Sequence, residues 1–514
     1  MSTRTATRRA RTHLAGPRAV DPNPRILAWH HLALMAFVAV WGFGNVVSNF
    51  ANQGLAVIFS WLSIMVVYFL PYALMVGEMG ATFPEAKAGV ASWIRSTLGS
   101  GWAYLCGWTY WVVQIPYLAQ KPQTLLIGLG WAAEGKSGAI NSFPVWAVQL
   151  VGLAIFFGFA WLATRGIRAV KLLGTVAGLA SLVMGGLYIL LMFAAPVIRE
   201  AQIAAPRLTS WSTYVPDFDL GYFTTIAMLL FAVGGAEKIS PYVSNMQDKQ
   251  RGFSQGLVFM ALLVVGSALL GSLALGMMFD ISHMDATMLA DFKANGQYLA
   301  FQKLGSYYGV GNAFLVLYAV ANLLAQSAVL LISIDAPLRL LLCDADERYI
   351  PARLRQVNQH GAPVNGYRLT ALLVALISLL PAIGAKTLNE LFSNLLDLNA
   401  VVMPMRYLFV FAAYIALRKL ATQTSRRSEY RLVENDAVAV GLGVWCFAFT
   451  VVACLLGMIP AHLSVGSAGW WGKLALNVIT PLALVSLGLI LPLIAERQLG
   501  LNRRARRRPG DTLH

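Results

Sequence analysis

The chain alternates between apolar runs about 20 residues long and short polar links. A helix needs about 20 apolar residues to cross the hydrocarbon core of a bilayer. Twelve runs meet that need, at about 31–49, 54–76, 101–131, 144–163, 170–198, 221–245, 254–279, 310–342, 367–384, 388–417, 436–459 and 473–495. The third and eighth exceed a perpendicular crossing and are expected to tilt. The two longest links on one side, 199–220 and 280–309, predict short helices or lids over one mouth of the bundle.

Polar positions inside these runs keep helical spacing. In the third run Tyr110, Gln114, Tyr117, Lys121 and Thr124 stand at offsets of 0, 4, 7, 11 and 14. At roughly 100° per residue all five share one face. The eighth run repeats the pattern with Tyr318, Asn322, Gln326 and Ser333. A polar stripe at membrane depth faces protein or water rather than lipid. Two matching stripes predict the walls of a substrate pathway; taken singly, such residues also serve as hydrogen-bond glue between helices.

The first and sixth runs are interrupted. One reads AVWGFGNVVSN and the other FAVGGAEKISP. Glycine costs a helix about 1 kcal/mol relative to alanine, and a carboxylate in hydrocarbon costs about 3 kcal/mol. A pair of glycine-interrupted spans in corresponding positions points to an inverted-repeat transporter, with spans one to five and six to ten as the repeats. Glycines also serve close helix packing; the paired placement, with Asn45 and Glu237 alongside, favours broken helices. A break frees backbone groups that cannot be left in lipid. Its N–H end suits a carboxylate and its carbonyl end suits an ammonium, so the two together suit an α-amino acid. Gly234 and Gly235 are read as the second break, with Glu237 just beyond it.

Composition sharpens the class. The 514 residues are 58% hydrophobic and 12% charged, about half the charged fraction of a soluble domain; mean hydropathy is +0.63. The expected fold is an all-α membrane protein of twelve transmembrane helices, a five-plus-five inverted repeat with discontinuous helices 1 and 6 and two C-terminal helices. The domain reading is 1–30 a basic tail, 31–198 the first repeat, 221–417 the second, 436–495 the last two spans and 496–514 a second basic tail. The net charge of +16 concentrates in the two tails and in the links after even-numbered spans. Juxtamembrane arginines at an anionic leaflet account for this better than nucleic acid. The bias places both termini in the cytoplasm of a multi-pass protein of the cell (inner) membrane.

Other charges are less legible. Asp335 and Arg339, four residues apart, read as a solvated helix pair. Lys121 and Glu237 are placed to pair across the cavity, and Arg406, with Asn399 on its face, to meet an anion or a gate carboxylate. Cys106, Cys343, Cys446 and Cys454 match no zinc or disulfide spacing, and no metal or cofactor is expected. The seven histidines lie in links, tails or span ends, and neither G-x-S-x-G nor H-E-x-x-H occurs, so an enzyme is not expected.

With these residues placed, the chain resembles the amino acid–polyamine–organocation (APC) superfamily, over nearly its whole length. GFGNVVSN and FAVGGAE are similar to the family's two glycine breaks. GEMGATFPEAKAGVASWIRSTLG with WAYLCGWTYW, and LLCDADERYIPARLRQVNQHGAPVNGY, resemble its two cytoplasmic links. The glutamate/γ-aminobutyrate antiporter branch looks nearest. The resemblance implies a secondary amino acid transporter working by alternating access, as an exchanger or a proton-coupled symporter. Its partners are then an amino acid or related amine, protons or a counter-substrate, and the lipid membrane. It implies Phe43, Gly44 and Asn45 at the substrate carboxylate, Phe231 as an occluding aromatic, Gly234 and Gly235 as the second break, and Glu237 as a gate or proton site. Gln114 and Asn322, from the two polar stripes, complete the expected substrate site; Lys121 and Arg406 join Glu237 as gating or coupling residues. PEAKAG lacks a second glycine the family usually has. The lysine that some relatives carry in span five is replaced by Ala180, which puts a lysine-based coupling scheme in doubt. A channel or a non-transporting sensor with the same fold is the alternative; saturable counterflow separates the two.

Overall fold

The computed structural model describes residues 24–136, 142–200, 204, 208, 210–219, 222–223, 229–230, 232–379, 403–421, 430–460 and 464–506. Among these residues every regular element is a helix, and one isolated β-bridge joins Leu27 to Met246. Seven described segments are long and apolar enough to cross a bilayer, which makes the chain a multi-pass membrane protein; the first of them, Trp29–Thr82, is 54 residues long. At about 1.5 Å per residue that length exceeds a single crossing, and the chain turns within it at Gly54, where φ is +60°. The ninth and tenth runs of the sequence reading extend into 380–402, outside the described residues.

Both expected interruptions are present. Helix α1 (Trp29–Val40) stops at Trp41 and Gly42, both extended, and α2 (Phe43–Gln53) follows. The first break therefore lies one to two residues earlier than the glycine pattern indicated, and Phe43, Gly44 and Asn45 form the first turn of α2. Gly42 accepts from the Asn45 N–H at 2.8 Å and acts as the helix cap. In the sixth run the helical turn ends at Gly234, whose N–H donates to Leu230 O at 2.9 Å. Gly235 has φ +117°, and the chain continues as a 3-10 helix over Ala236–Asn245. A φ in that region is strained for any residue with a β-carbon, so Gly235 is where the backbone requires glycine.

Prolines shape the other long runs. The third span divides into α3 (Ser100–Val112) and α4 (Gln114–Glu134) around Val113. Pro116 has no N–H for Val112, and its ring crowds that carbonyl; the kink falls there. A π-turn at Met65–Phe69 sits before Pro71 for the same reason. The expected lid is the 22-residue helix α5 (Ala286–Tyr307), capped by Asp285, whose side chain accepts from Met288 N at 2.7 Å.

The long helix α6 (Ala313–Leu342) packs along α4 and along Ile167–Ile198, while α1 packs between Ile167–Ile198 and Gly252–Met278. The starting strand of the first broken span is tied to the end of the second: Leu27 N donates to Asn245 O at 3.0 Å, and Gln247 N to Leu27 O at 2.9 Å. The two link sequences that carry the family resemblance also meet. Asp344 Oδ2 accepts from Lys87 N at 3.0 Å and from Ser92 Oγ at 2.7 Å, and Arg95 donates to Asp344 O at 2.7 Å. The glycine kept in PEAKAG, Gly89, has φ +49°, and Ser240 of the 3-10 helix fills the space of its missing side chain.

Two buried ionic networks brace this frame. Glu78, 3% exposed, accepts from Arg418 at 2.7 Å, Tyr414 at 3.1 Å and Leu432 N at 3.0 Å, and Arg418 also donates to Asp436 at 2.8 Å. Asp335 accepts from Arg339 at 2.7 Å, from Tyr242 at 2.8 Å and from Tyr367. Asp335 is 0% exposed, which corrects its reading as a solvated pair: the helix spacing is as expected, but two tyrosines from other elements close over it.

Candidate functional site

The two breaks face one cavity of about 250 Å³. At roughly 30 Å³ per water this is the space of about eight waters, the scale of a small zwitterion. Trp41, Gly42, Phe43 and Asn45 enter it from the first break; Gly234 and Lys238 enter from the second. The polar stripes supply the remaining wall: Tyr117 and Lys121 from α4, and Tyr318, Asn322 and Gln326 from α6. Helix ends and polar faces that were separate patterns in the sequence thus converge on one volume.

Aromatic side chains of α5 and of Ile167–Ile198 pack against the lining. Phe301 stacks on Tyr318 with centroids 4.2 Å apart, Phe43 meets Tyr188 edge-on at 5.0 Å, and Tyr298 stacks on Trp131 at 4.9 Å. Asn322 donates to the Tyr298 hydroxyl at 2.8 Å and accepts from Gln326 at 3.1 Å. The lid therefore touches the residues that line the cavity rather than only its rim.

The electrostatics of the lining are one-sided. Lys121 and Lys238, both half-buried, are the charged residues among its described lining, and no described lining residue is an Asp or Glu. The Lys121 ammonium stands 5.2 Å from the Tyr117 ring centre. The end of the Lys238 side chain folds back over Gly235, its Cε and Nζ 3.2 and 3.3 Å from where a β-carbon would be.

A second polar group lies behind the sixth-span break. The Tyr407 hydroxyl occupies the space of a side chain on Gly234. The rings of Tyr407 and Tyr72 are 5.5 Å apart, and the Tyr72 hydroxyl donates to Glu237, which is 0% exposed. Arg406, also 0% exposed, donates to Gln114 Oε1 at 3.5 Å and Met403 O at 3.2 Å, and its guanidinium lies 4.8 Å from the Tyr110 ring centre. Glu237 Oε1, Arg406 Nη2 and Tyr110 Oη have no hydrogen-bond partner among the described residues.

The expected site residues thus divide into two groups. Phe43, Asn45, Gly234, Asn322 and Lys121 line the cavity. Gln114, Glu237 and Arg406 belong to the buried group behind it. Gly44 turns its missing side chain toward Gln297 of the lid, and Gly235 turns its own toward Lys238. Phe231, like Asn399, lies outside the described residues. Lys121 and Glu237 form no ion pair: Glu237 is held by Tyr72 on the far side of the break. Along the polar stripe of the third span, Tyr110 and Gln114, on either side of Val113, meet Arg406, while Tyr117 and Lys121, further along α4, reach the cavity. Sequence reasoning missed Tyr72 and Tyr407, whose hydroxyls belong to no polar stripe within their apolar runs. Lys238 was missed as a lining residue; its signal was a second charge three residues past Gly235.

Residues 27–480 match the amino acid permease family, and the chain belongs to it. It is 47% identical over 474 residues to the aspartate/glutamate permease AcaP of Lactococcus lactis subsp. cremoris, covering 92% of this chain and 96% of that one. It is 22% identical over 418 residues to a glutamate/gamma-aminobutyrate antiporter of Lactococcus lactis subsp. lactis, covering 80% of each. In fold it resembles the crystal structure of the Eremococcus coleocola manganese transporter, with a TM-score of 0.54 at 11% identity, over 94% of this chain and 99% of that one. It is a transporter, not an enzyme.

Proposed function

We propose that this member of the amino acid permease family carries acidic amino acids, aspartate or glutamate, across the cell membrane by alternating access. The observation that carries the reading is a cavity flanked by two helix breaks and bearing two lysines, with no carboxylate among its described lining residues. The first-turn N–H groups of α2 receive the substrate α-carboxylate, because a helix N-terminus favours an anion. The carbonyl end before Gly234 receives the α-ammonium. The second carboxylate of the substrate lies between Lys121 and Lys238, where charge-assisted hydrogen bonds are strong. The name of the 47% identical relative, an aspartate/glutamate permease, supports the same class.

In this reading the five-plus-five repeat spans 31–198 and 221–417, the twelve spans leave both termini in the cytoplasm, and transport is exchange or proton-coupled symport. Phe43 and Asn322 fix the substrate's orientation, and Phe231 closes over it. Glu237 and Arg406, behind the second break, act as gate or coupling groups, with Gln114 holding the guanidinium.

The test is uptake of labelled glutamate by the purified protein in liposomes, competed with a panel of amino acids. Saturable counterflow inhibited by aspartate and glutamate, and weakly by lysine, leucine or γ-aminobutyrate, is the expected result. Equal inhibition by cationic or neutral amino acids would overturn the substrate class, and flux without saturation would favour a channel.

A further inference from the structure

We propose that Lys121 and Lys238 make this protein an obligatory exchanger, because their ammonium groups, bare in the empty cavity, prevent the unloaded carrier from changing sides. The inference rests on the acidic-substrate reading above.

Alternating access passes through an occluded state in which neither solution wets the site. Whatever charge remains unpaired there is desolvated, and the penalty for an ion taken out of water is large unless a counter-charge accompanies it. Lys121 and Lys238 face the same cavity of about 250 Å³. Among the described residues neither ammonium has a hydrogen bond or an ion pair, and Lys121 has only the Tyr117 ring, 5.2 Å away. The nearby carboxylate, Glu237, is fully buried behind the break and bonded to Tyr72. Arg406, also fully buried, adds a further positive charge.

Occluding the empty site therefore dehydrates two like charges that share one cavity, with no carboxylate among its described lining residues. Occluding the loaded site places a carboxylate between them. The loaded carrier crosses easily and the empty one slowly, so inward movement of one substrate requires outward movement of another. The same lysines that select an acidic substrate then also couple its flux to a counter-substrate.

The experiment measures initial uptake of labelled glutamate into liposomes that are either preloaded with aspartate or empty, with the membrane potential clamped at zero by potassium and valinomycin. Wild-type protein is expected to fill preloaded vesicles at least tenfold faster than empty ones. Lys121→Gln and Lys238→Gln, assayed at saturating substrate, should bring that ratio toward one by speeding the empty return. Lys238→Arg, which keeps the charge, should preserve it. A wild-type ratio near one overturns the proposal, as does an unchanged ratio in glutamine variants that elute as monodisperse protein and still take up glutamate. If preloaded vesicles take up neither aspartate nor glutamate, the acidic-substrate reading itself fails; if they take it up no faster than empty ones, only the exchange inference fails.

Discussion

Two regions of this molecule hold charges at membrane depth and treat them in opposite ways. In the Asp335 network the carboxylate is met on every side, by Arg339, Tyr242 and Tyr367. In the cavity, Lys121 and Lys238 stand with no carboxylate among the described lining residues. The first region joins three elements: α6, the 3-10 helix after the sixth-span break and the helix Val364–Leu379. The second joins nothing until a ligand arrives. Satisfied buried charges fix an arrangement, since removing one partner leaves the other stranded; unsatisfied ones create a demand that only a substrate meets.

Breaking the first region gives the largest expected effect. Asp335→Asn strands the Arg339 guanidinium and should destabilise the protein by about 3–5 kcal/mol, measured by thermal unfolding in detergent. Arg339→Met added to it should restore much of the loss, a coupling that a double-mutant cycle reads. Additive losses would show that the two residues do not act as a pair.

Next comes the hinge between the regions. Gly235→Ala forces a β-carbon onto φ +117° and against Lys238, at about 1–3 kcal/mol of strain. Transport should fall more than expression does; wild-type stability and rate together would mean that the break relaxes to another conformation.

Lys238→Gln sharpens the contrast from the cavity side. It should leave unfolding temperature unchanged or raise it, while weakening glutamate binding about tenfold, roughly 1.4 kcal/mol. Isothermal titration separates this from the Asp335 phenotype, and loss of stability without loss of affinity would move Lys238 into the structural class.

The smallest effects lie at the solvated ends. Glu85, 62% exposed, pairs with Arg25 at 3.0 Å and Lys249 at 2.6 Å. Glu85→Gln should cost less than about 1 kcal/mol and the difference should vanish at high salt. Asp346, in the link after α6, is held down to about 2 from its usual 3.8 by hydrogen bonds from Arg348. A depressed carboxyl stabilises above its unfolded value and loses that contribution as pH falls through about 2. Asp346→Asn should therefore flatten part of the stability loss between about pH 4 and about pH 2, and an identical acid profile would mean that Asp346 contributes nothing to it.

How much of this could be read from the chain differs between fold and site. The interruptions at Gly42 and Gly234–Gly235 were legible because glycine in an apolar run is locally costly, and the lid helix because its link is long. The first break moved toward Trp41 because Gly42 caps the following helix with its carbonyl, a hydrogen bond that no residue pattern announces. The stripes of α4 and α6 were legible from 3.6-residue spacing alone. Their division of labour was not: Tyr110 and Gln114 meet Arg406 while Tyr117 and Lys121 reach the cavity, a difference set by which distant element packs against each turn.

Whatever is local can be read from the chain. Runs of apolar residues set the membrane class, glycines set where helices fail, and the arrangement of arginines predicts which ends face the cytoplasm. Those properties depend on a residue and its near neighbours along the chain. Only the tertiary structure decided which charges are paired. Glu237 meets Tyr72, 165 positions away, and Arg418 meets Glu78, 340 positions away. The energy of a buried charge depends on what lies within a few ångströms of it, and that company is chosen by the fold.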